Sequence, residues 1–245
     1  SSSSDSVLTL CLNDNILELG KQQQEILELL LQKEFTAKTL NTVTTKKRLS
    51  ALHLAVQLGD VQLLNELLKR GCHIDLTADI DEHSALHLAL KLLGYSKKNP
   101  SFDDFIKATL SHPEQSKLGL YRHSAGSLDL DQVLKNLHSP TGYQIGKEVY
   151  EAMQPKVAPN RMREIIHLLL NAGADVNQPA KLPVLGYTPL MLAIESNEYE
   201  IAKYMIDHCK GDLNKTYVDP RNGRLISAQD IIKHFKSYQC EALLN

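Results

Sequence analysis

The six-residue motif Ser-Ala-Leu-His-Leu-Ala occurs at residues 50–55 and again at residues 84–89. After the first copy, an apolar stretch with leucines spaced three and four residues apart runs toward Gly71. This spacing places apolar side chains on one face of a helix, and a glycine readily adopts the left-handed conformation that ends one. The sequence therefore predicts a helix, a tight turn at Gly59, a second helix and an extended loop.

The same unit recurs along the chain. Four copies come into register when Ala55, Ala89, Ala193 and Ile232 are aligned. Each copy opens with Ser or Thr, which is typical of a helix N-cap. Isolated helices of about ten residues are marginally stable in water, so such units must stack on one another to bury their apolar faces.

These segments resemble the ankyrin repeat. Residues 50–75 match both helices of the family's unit, residues 164–177 match its second half, and residues 186–206 form a further copy. Residues 227–244 are a degenerate, more polar copy that is expected to cap the C terminus, and residues 6–35 are expected to cap the N terminus. The resemblance implies an all-α solenoid of helix–turn–helix units.

One repeat is interrupted. Ala55 lies 7 residues before Gln62, which opens the second helix, but the equivalent residues Ala89 and Glu164 lie 75 apart. The 68 additional residues contain three stretches with helical patterning, so we expect a helical insertion at residues 95–160.

The expected organisation therefore has three parts. Residues 1–94 hold the N-terminal cap, the first repeat and the first helix of the second. Residues 95–160 form the helical insertion. Residues 161–245 hold the second helix of the interrupted repeat, the third repeat and the degenerate capping repeat.

Composition argues against nucleic acid and membrane as partners. The net charge is −2, which gives no general electrostatic reason to bind nucleic acid or an anionic membrane. No apolar run approaches the roughly 18 residues of a membrane span, and no signal peptide is recognisable. The chain begins with Ser-Ser-Ser-Ser-Asp-Ser and no Met, which leaves open that it is a piece of a longer protein.

The cysteines indicate a reducing compartment. Cys11, Cys72, Cys209 and Cys240 are scattered and form no CxxC motif, so a zinc site is not expected. We expect a cytoplasmic protein, or one in a host cytosol if the chain is a secreted bacterial effector.

No motif supports catalysis or a cofactor. Neither GxxxxGK[ST] nor GxGxxG occurs. Cys72, His73 and Asp75 are close in sequence, but adjacent residues rarely reach the mutual geometry of an activated nucleophile. The histidines of the insertion match no metal signature. We therefore expect no metal, no cofactor and no enzymatic activity.

The resemblance assigns structural roles to several residues. In the family, the motif histidine bonds to backbone and braces adjacent turns, whereas Met191 stands at that position in the third repeat. The residues expected to serve the repeat in this way are His53, His87, Gly59, Gly71, Gly173, Thr188 and Pro189.

Partner binding is expected at the loops between repeats. The resemblance implies hairpin fingers that bind partners together with the concave face. The first finger is basic, the second is acidic, the third exposes apolar residues and the fourth has a predicted turn at residues 220–223. The candidate partner-binding residues are Lys46, Lys47, Arg48, Asp79, Asp81, Leu182, Val184, Leu185, Tyr187, Arg221 and Arg224. An equal alternative for the third finger is that it packs onto the insertion.

Asn177 is a candidate modification site. Leu169, Asp175, Val176 and Asn177 match a pattern that resembles ankyrin substrates of the animal asparaginyl hydroxylase. Hydroxylation would require an animal cytosol, and the alternative is that Asn177 stabilises its own turn.

The predicted function is a protein–protein interaction module that binds another protein through its fingers, its concave face and the helical insertion. Three alternatives remain. The chain could be the ankyrin portion of a larger effector or enzyme whose catalytic domain lies elsewhere, the insertion could itself be catalytic, or the insertion could cover the concave face and regulate access.

Overall fold

A computed structural model describes ten segments of the chain. They are residues 40–41, 43, 50–78, 82–98, 143–144, 147, 157–181, 185–220, 222–234 and 239–244. The expected N-terminal cap at residues 6–35 lies outside these segments, as does most of the expected insertion.

The first repeat is a pair of helices, α1 (Ala51–Leu58) and α2 (Val61–Lys69). The Ser50 hydroxyl accepts a hydrogen bond from the His53 amide and caps α1. Gly59 ends α1 in the left-handed conformation, at a φ of 68°. Gly71, at a φ of 75°, follows α2 in the same region. The helix–turn–helix prediction for this repeat is confirmed.

The interrupted repeat consists of α3 (Ala85–Lys98) and α4 (Pro159–Asn171), which pack directly against each other. Helix α3 runs four residues past the predicted start of the insertion, because Gly94 remains helical instead of ending the helix. A Cβ on Gly94 would lie 2.7 Å from the Ser196 hydroxyl, so glycine at this position permits a close approach. Within the expected insertion, the described residues Tyr143, Gln144 and Lys147 are helical.

The third repeat is formed by α5 (Pro189–Glu195) and α6 (Tyr199–Cys209). Thr188 caps α5 and Pro189 begins it, as the sequence predicts. The turn between the helices is made by Asn197 at a φ of 52°, in the place that Gly59 occupies in the first repeat. Asparagine tolerates this left-handed conformation better than most residues do.

The C-terminal repeat begins with a hairpin of two strands, β1 (Thr216–Val218) and β2 (Leu225–Ser227). The turn predicted at residues 220–223 lies between them, so the fourth finger is a hairpin as the resemblance implies, whereas its register was not predicted. Helix α7 (Ala228–His234) and a final 3₁₀ helix (Cys240–Leu244) follow. The Ser227 hydroxyl accepts from the Asp230 amide, and the Asp230 carboxylate accepts from the Ser227 amide, which is a reciprocal helix cap.

The helices stack in two layers. The first helices form the series α1, α3, α5 and α7, and the second helices form the series α2, α4 and α6, each in contact with the next. One continuous aliphatic core lies between the layers. Over the described segments, the fold is thus a mostly helical ankyrin-type solenoid with one short hairpin, which confirms the predicted fold class.

An ion pair reinforces the stack next to the interruption. The Arg163 guanidinium of α4 donates to both Glu198 carboxylate oxygens, at 3.0 and 2.9 Å. This hydrogen bonding raises the pKa of Arg163. Because Glu198 is only 7% exposed, the pair holds a buried carboxylate at the start of α6.

None of the helices in the segments set out above is long and apolar enough to cross a lipid bilayer.

Candidate partner-binding surface

A ladder of side-chain to backbone hydrogen bonds joins the loops of successive repeats. In each rung, an Asn or Asp oxygen accepts from an amide at the start of the next repeat's loop. The rungs are Asn41 to His73 at 2.7 Å, Asp75 to Asp175 at 2.8 Å and Asn177 to Asp212 at 2.8 Å. The outer rungs span 32 and 35 positions, but the middle rung spans 100. The middle rung is as short as the other two, so the loops on the two sides of the interruption lie next to each other as the other neighbouring loops do.

The motif histidines form a second set of links. The His53 Nε2 donates to the His83 carbonyl at 2.9 Å, while its Nδ1 accepts from the Ser50 hydroxyl at 2.7 Å. In the next repeat, the His87 Nε2 donates to the Tyr187 carbonyl at 3.2 Å. Both histidines are buried, so their geometry is that of a structural brace between neighbouring loops. At Met191, a thioether replaces the ring nitrogens and can donate no such bond.

The second and third fingers are tied to each other at their bases. A backbone bridge joins Ala78 to His83 in the second finger, and the Ala180 amide donates to the Tyr187 carbonyl at 2.7 Å in the third. Between the fingers, the Lys181 ammonium lies 2.6 Å from a Glu82 carboxylate oxygen. These links fix the backbone from which the finger residues project.

The third and fourth fingers are joined by backbone. The Val218 amide of β1 donates to the Leu185 carbonyl at 3.1 Å. On its other side, Val218 is the direct partner of Leu225 in β2. Leu185, Val218 and Leu225 thus lie side by side across two fingers, and we call these three residues the fingertip patch.

The fingertip patch contains the two most exposed large apolar side chains of the described segments. Leu185 is 60% exposed and Leu225 is 68% exposed. Leu185 was a candidate from the sequence, but Leu225 was not. Its sequence neighbours Arg224 and Ile226 gave no sign of its position, which only the hairpin register reveals.

Two other partner-binding candidates, Tyr187 and Arg224, do not belong to the fingertip patch. Tyr187 is half-buried, its hydroxyl donates to the Glu195 carboxylate at 2.9 Å, and its ring packs edge-on against Tyr217. Burial, followed by the nearby Glu195 carboxylate, raises the pKa of Tyr187 well above its usual value. Arg224 is exposed in the fourth finger. The remaining partner-binding candidates lie outside the described segments: Lys46, Lys47, Arg48, Asp79, Asp81, Leu182, Val184 and Arg221.

The cysteine that the sequence places beside a histidine is unsuited to nucleophilic chemistry. Cys72 is buried, and that burial raises the pKa of its thiol to about 11. An activated cysteine needs the opposite shift, since the thiolate is the nucleophile. Over the part of the chain that the structure describes, there is also no cluster of three or more His, Cys, Asp or Glu residues that could hold a metal ion.

Asn177 is engaged by two hydrogen bonds to the next repeat. Its Oδ1 accepts from the Asp212 amide, and its Nδ2 donates to the Lys210 carbonyl at 2.9 Å. Lys210 ends α6 in the left-handed conformation, at a φ of 58°. Both polar atoms of the Asn177 side chain therefore stabilise this turn, and its hydroxylation stays a prediction.

Substituting Asn177 tests this role. Asn177→Ala is expected to lower the free energy of unfolding by about 1–2 kcal/mol, since two hydrogen bonds are lost. Asn177→Asp keeps the acceptor for the Asp212 amide but places a carboxylate oxygen against the Lys210 carbonyl, so it should also destabilise. Urea denaturation measures both changes. Gln62→Ala, on the exposed face of α2, is the control and should cost less than about 0.5 kcal/mol; equal costs for Asn177→Ala and this control would contradict the assignment.

Comparison with known families agrees with the architecture. A family model described as "Ankyrin repeat" matches residues 47–79, and one described as "Ankyrin repeats (3 copies)" matches residues 126–224. Together they cover more than half of the 245 residues, and the second match begins inside the expected insertion. No protein among the curated ones matches the chain.

The chain therefore belongs to the ankyrin-repeat family. Ankyrin repeats are generally protein–protein interaction modules, and they are typically not catalytic.

Proposed function

We propose that this protein binds another protein through its fingers, its concave face and the helical insertion at residues 95–160. The observation that carries the proposal is the fingertip patch, where Leu185 and Leu225 present exposed apolar side chains on adjacent fingers. Exposed apolar clusters of this kind commonly mark protein contacts.

Rigid presentation supports this function. The ladder through Asp75 and Asn177 and the backbone bond between Val218 and Leu185 hold the fingers before any partner arrives. A preorganised surface loses little conformational entropy on binding, so more of the contact energy appears as affinity. The basic residues Lys46, Lys47 and Arg48 would add electrostatic steering toward an acidic partner.

The insertion is attached to the stack at the C-terminal end of α3, away from the second finger. The chain departs after Lys98, at the C-terminal end of α3, and returns at Val157, beside the turn at Gly59. The second finger joins the opposite end of α3, which is a helix of 14 residues and hence about 20 Å long. The described points at which the chain leaves and rejoins the stack are thus distant from the second finger, which supports a partner site at the fingers.

We also propose that the protein resides in the cytoplasm. Neither Cys72 nor Cys209 lies in a disulfide bond, and scattered unpaired cysteines are typical of a reducing compartment such as the cytoplasm.

Binding measurements with finger variants test the function. A partner captured from cell extract is purified and titrated by calorimetry. The combined substitution of Leu182, Val184 and Leu185 by alanine is expected to weaken binding by more than about 2 kcal/mol, because a few apolar anchors usually carry most of the energy. Leu244→Ala, an exposed apolar residue of the final 3₁₀ helix, is the control. The opposite result would overturn the proposal: Cys72→Ser no longer binds the partner, while the finger variant binds it normally. That result would point to an enzyme whose nucleophile is Cys72.

A further inference from the structure

The hairpin of the fourth finger turns apolar side chains toward solvent. Tyr217 faces inward and packs against Tyr187, with 4.8 Å between ring centroids. Neighbouring residues of a strand point to opposite faces, so Val218 and its partner Leu225 lie on the outer face. An antiparallel sheet with one solvated face normally carries polar residues there. This outer face therefore has the character of a contact surface.

The outer strand of the hairpin also has an open backbone edge. The Asp219 amide donates to the Arg224 carbonyl at 2.8 Å. The neighbouring pair, Val218 and Leu225, is therefore a non-hydrogen-bonded pair, in which the N–H and C=O groups of each residue point away from the other strand. Val218 donates outward to Leu185. On the β2 side, no backbone hydrogen bond of Leu225 occurs among the described residues. A donor and an acceptor are thus available beside an exposed leucine.

The exposed charged residues that precede the two strands are positive, while the half-buried Asp230 carboxylate accepts hydrogen bonds from the Ser227 amide and hydroxyl. Lys215 immediately precedes β1 and Arg224 immediately precedes β2, and both are exposed. The hairpin's own acidic residue, Asp219, is only 2% exposed. A ligand of this edge would therefore meet cations at both strands, which favours one that carries carboxylates.

We propose that the β2 edge receives an extended segment of a partner protein as an additional strand, with apolar residues at alternate positions and acidic residues at its ends. The inference rests on the proposed function and gives it a binding mode and a partner chemistry. Backbone bonds to Leu225 would supply the register, the fingertip patch would bury alternate apolar side chains, and Lys215 and Arg224 would pair with the carboxylates.

A second copy of the chain fits this edge less well. Antiparallel pairing of two β2 strands about Leu225 would bring the two Arg224 side chains near each other. Strands of three residues also bury far less than the roughly 800 Å² per partner of a standard stable interface. The observations therefore favour a short acidic segment over self-association.

Labelled peptides provide the probe. A pool with the pattern acetyl-EXTXTXE-amide, where X is Val, Ile, Leu or Phe, is titrated into the whole chain by fluorescence anisotropy. The best binder is then compared with its lysine-ended counterpart and with a version N-methylated at the amides that would face β2. Both the lysine ends and the N-methylation are expected to weaken binding at least about tenfold. The effect of the lysine ends should be seen mainly at low salt. Exchange of the Leu225 amide hydrogen should slow in the complex.

Matched variants locate the site. Leu225→Lys is expected to weaken the best peptide at least about tenfold, because it removes an apolar contact and leaves the backbone in place. Leu244→Lys, at an exposed leucine outside the fingertip patch, should bind within about twofold of the parent chain. Because Leu225 is exposed, neither variant should alter the fold, which circular dichroism checks.

The remaining outcomes separate this inference from the proposed function. If Leu225→Lys weakens binding but the N-methylated peptide binds normally, the fingers bind partners and strand addition is wrong. If no peptide of the pool binds, or if the parent chain is a dimer that Leu225→Lys converts to a monomer, the acidic extended segment is not the occupant and the inference is overturned.

Discussion

Replacing Ile166 with alanine is expected to lower the free energy of unfolding by about 2–5 kcal/mol. Ile166 lies in α4 and is fully buried in the core that α4 shares with α3. The substitution removes three carbons and leaves a cavity that helices packed on both sides can fill only in part. This is a large fraction of the stability of an ordinary domain.

The shape of the unfolding transition is as informative as its midpoint. Because the ladder and the core continue across the interruption, Ile166→Ala should shift one cooperative transition, followed in urea by circular dichroism. Glu164→Ala is the control on the same helix, since Glu164 is exposed and pairs with the exposed Arg161. Its cost should stay below about 0.5 kcal/mol. A split into two transitions would mean that the segments on either side of the insertion fold as separate units.

The helices could be predicted from the sequence because their signals are local. Ser50 and Thr188 cap helices through their own hydroxyl groups, and Gly59 and Gly71 supply the left-handed residues that end them. Such interactions span three or four residues and recur in every copy, so a repeated motif reports them reliably.

Three left-handed residues of the described segments, Glu82, Asn197 and Lys210, escaped prediction because none of them is glycine. Asn197 takes the place of Gly59 in the first repeat. Lys210 itself has a positive φ at the end of α6, whereas at the end of α2 it is Gly71, the residue after the C-cap Arg70, that adopts this conformation. For an L residue such as lysine this conformation costs energy, so the surrounding contacts must impose it. The carbonyl of Lys210 accepts from Asn177, which is 33 positions away in sequence.

The fingertip patch was predicted only in part for a similar reason. Leu185 lies in a run of apolar residues within a loop, which the sequence shows directly. The exposure of Leu225 depends on the strand register, since a shift by one residue would place Ile226 on the outer face instead. That register is set by the turn at residues 219–224 and by the bond from Val218 to Leu185, which are contacts between segments that no local pattern encodes.

Gly59 is where the return from the insertion meets the first repeat. A Cβ on Gly59 would lie 2.7 and 2.8 Å from the two γ-carbons of Val157. Valine is short and branched at Cβ, so it cannot swing aside as a long side chain would. Gly59→Ala should therefore combine the strain of a left-handed alanine, about 1–2 kcal/mol, with overpacking of about 1–3 kcal/mol.

Gly71 offers the matched control for this prediction. It has nearly the same φ, 75° against 68°, but a Cβ on Gly71 would meet no atom within 4 Å. Gly71→Ala should therefore show the conformational strain alone, and the difference in the free energy of unfolding between the two variants reports the contact with Val157. Adding Val157→Ala to Gly59→Ala should restore part of the lost stability, whereas adding it to Gly71→Ala should not. If Gly59→Ala and Gly71→Ala cost the same, Val157 does not pack on the α1–α2 turn, and the insertion would return to the stack without contacting the first repeat there.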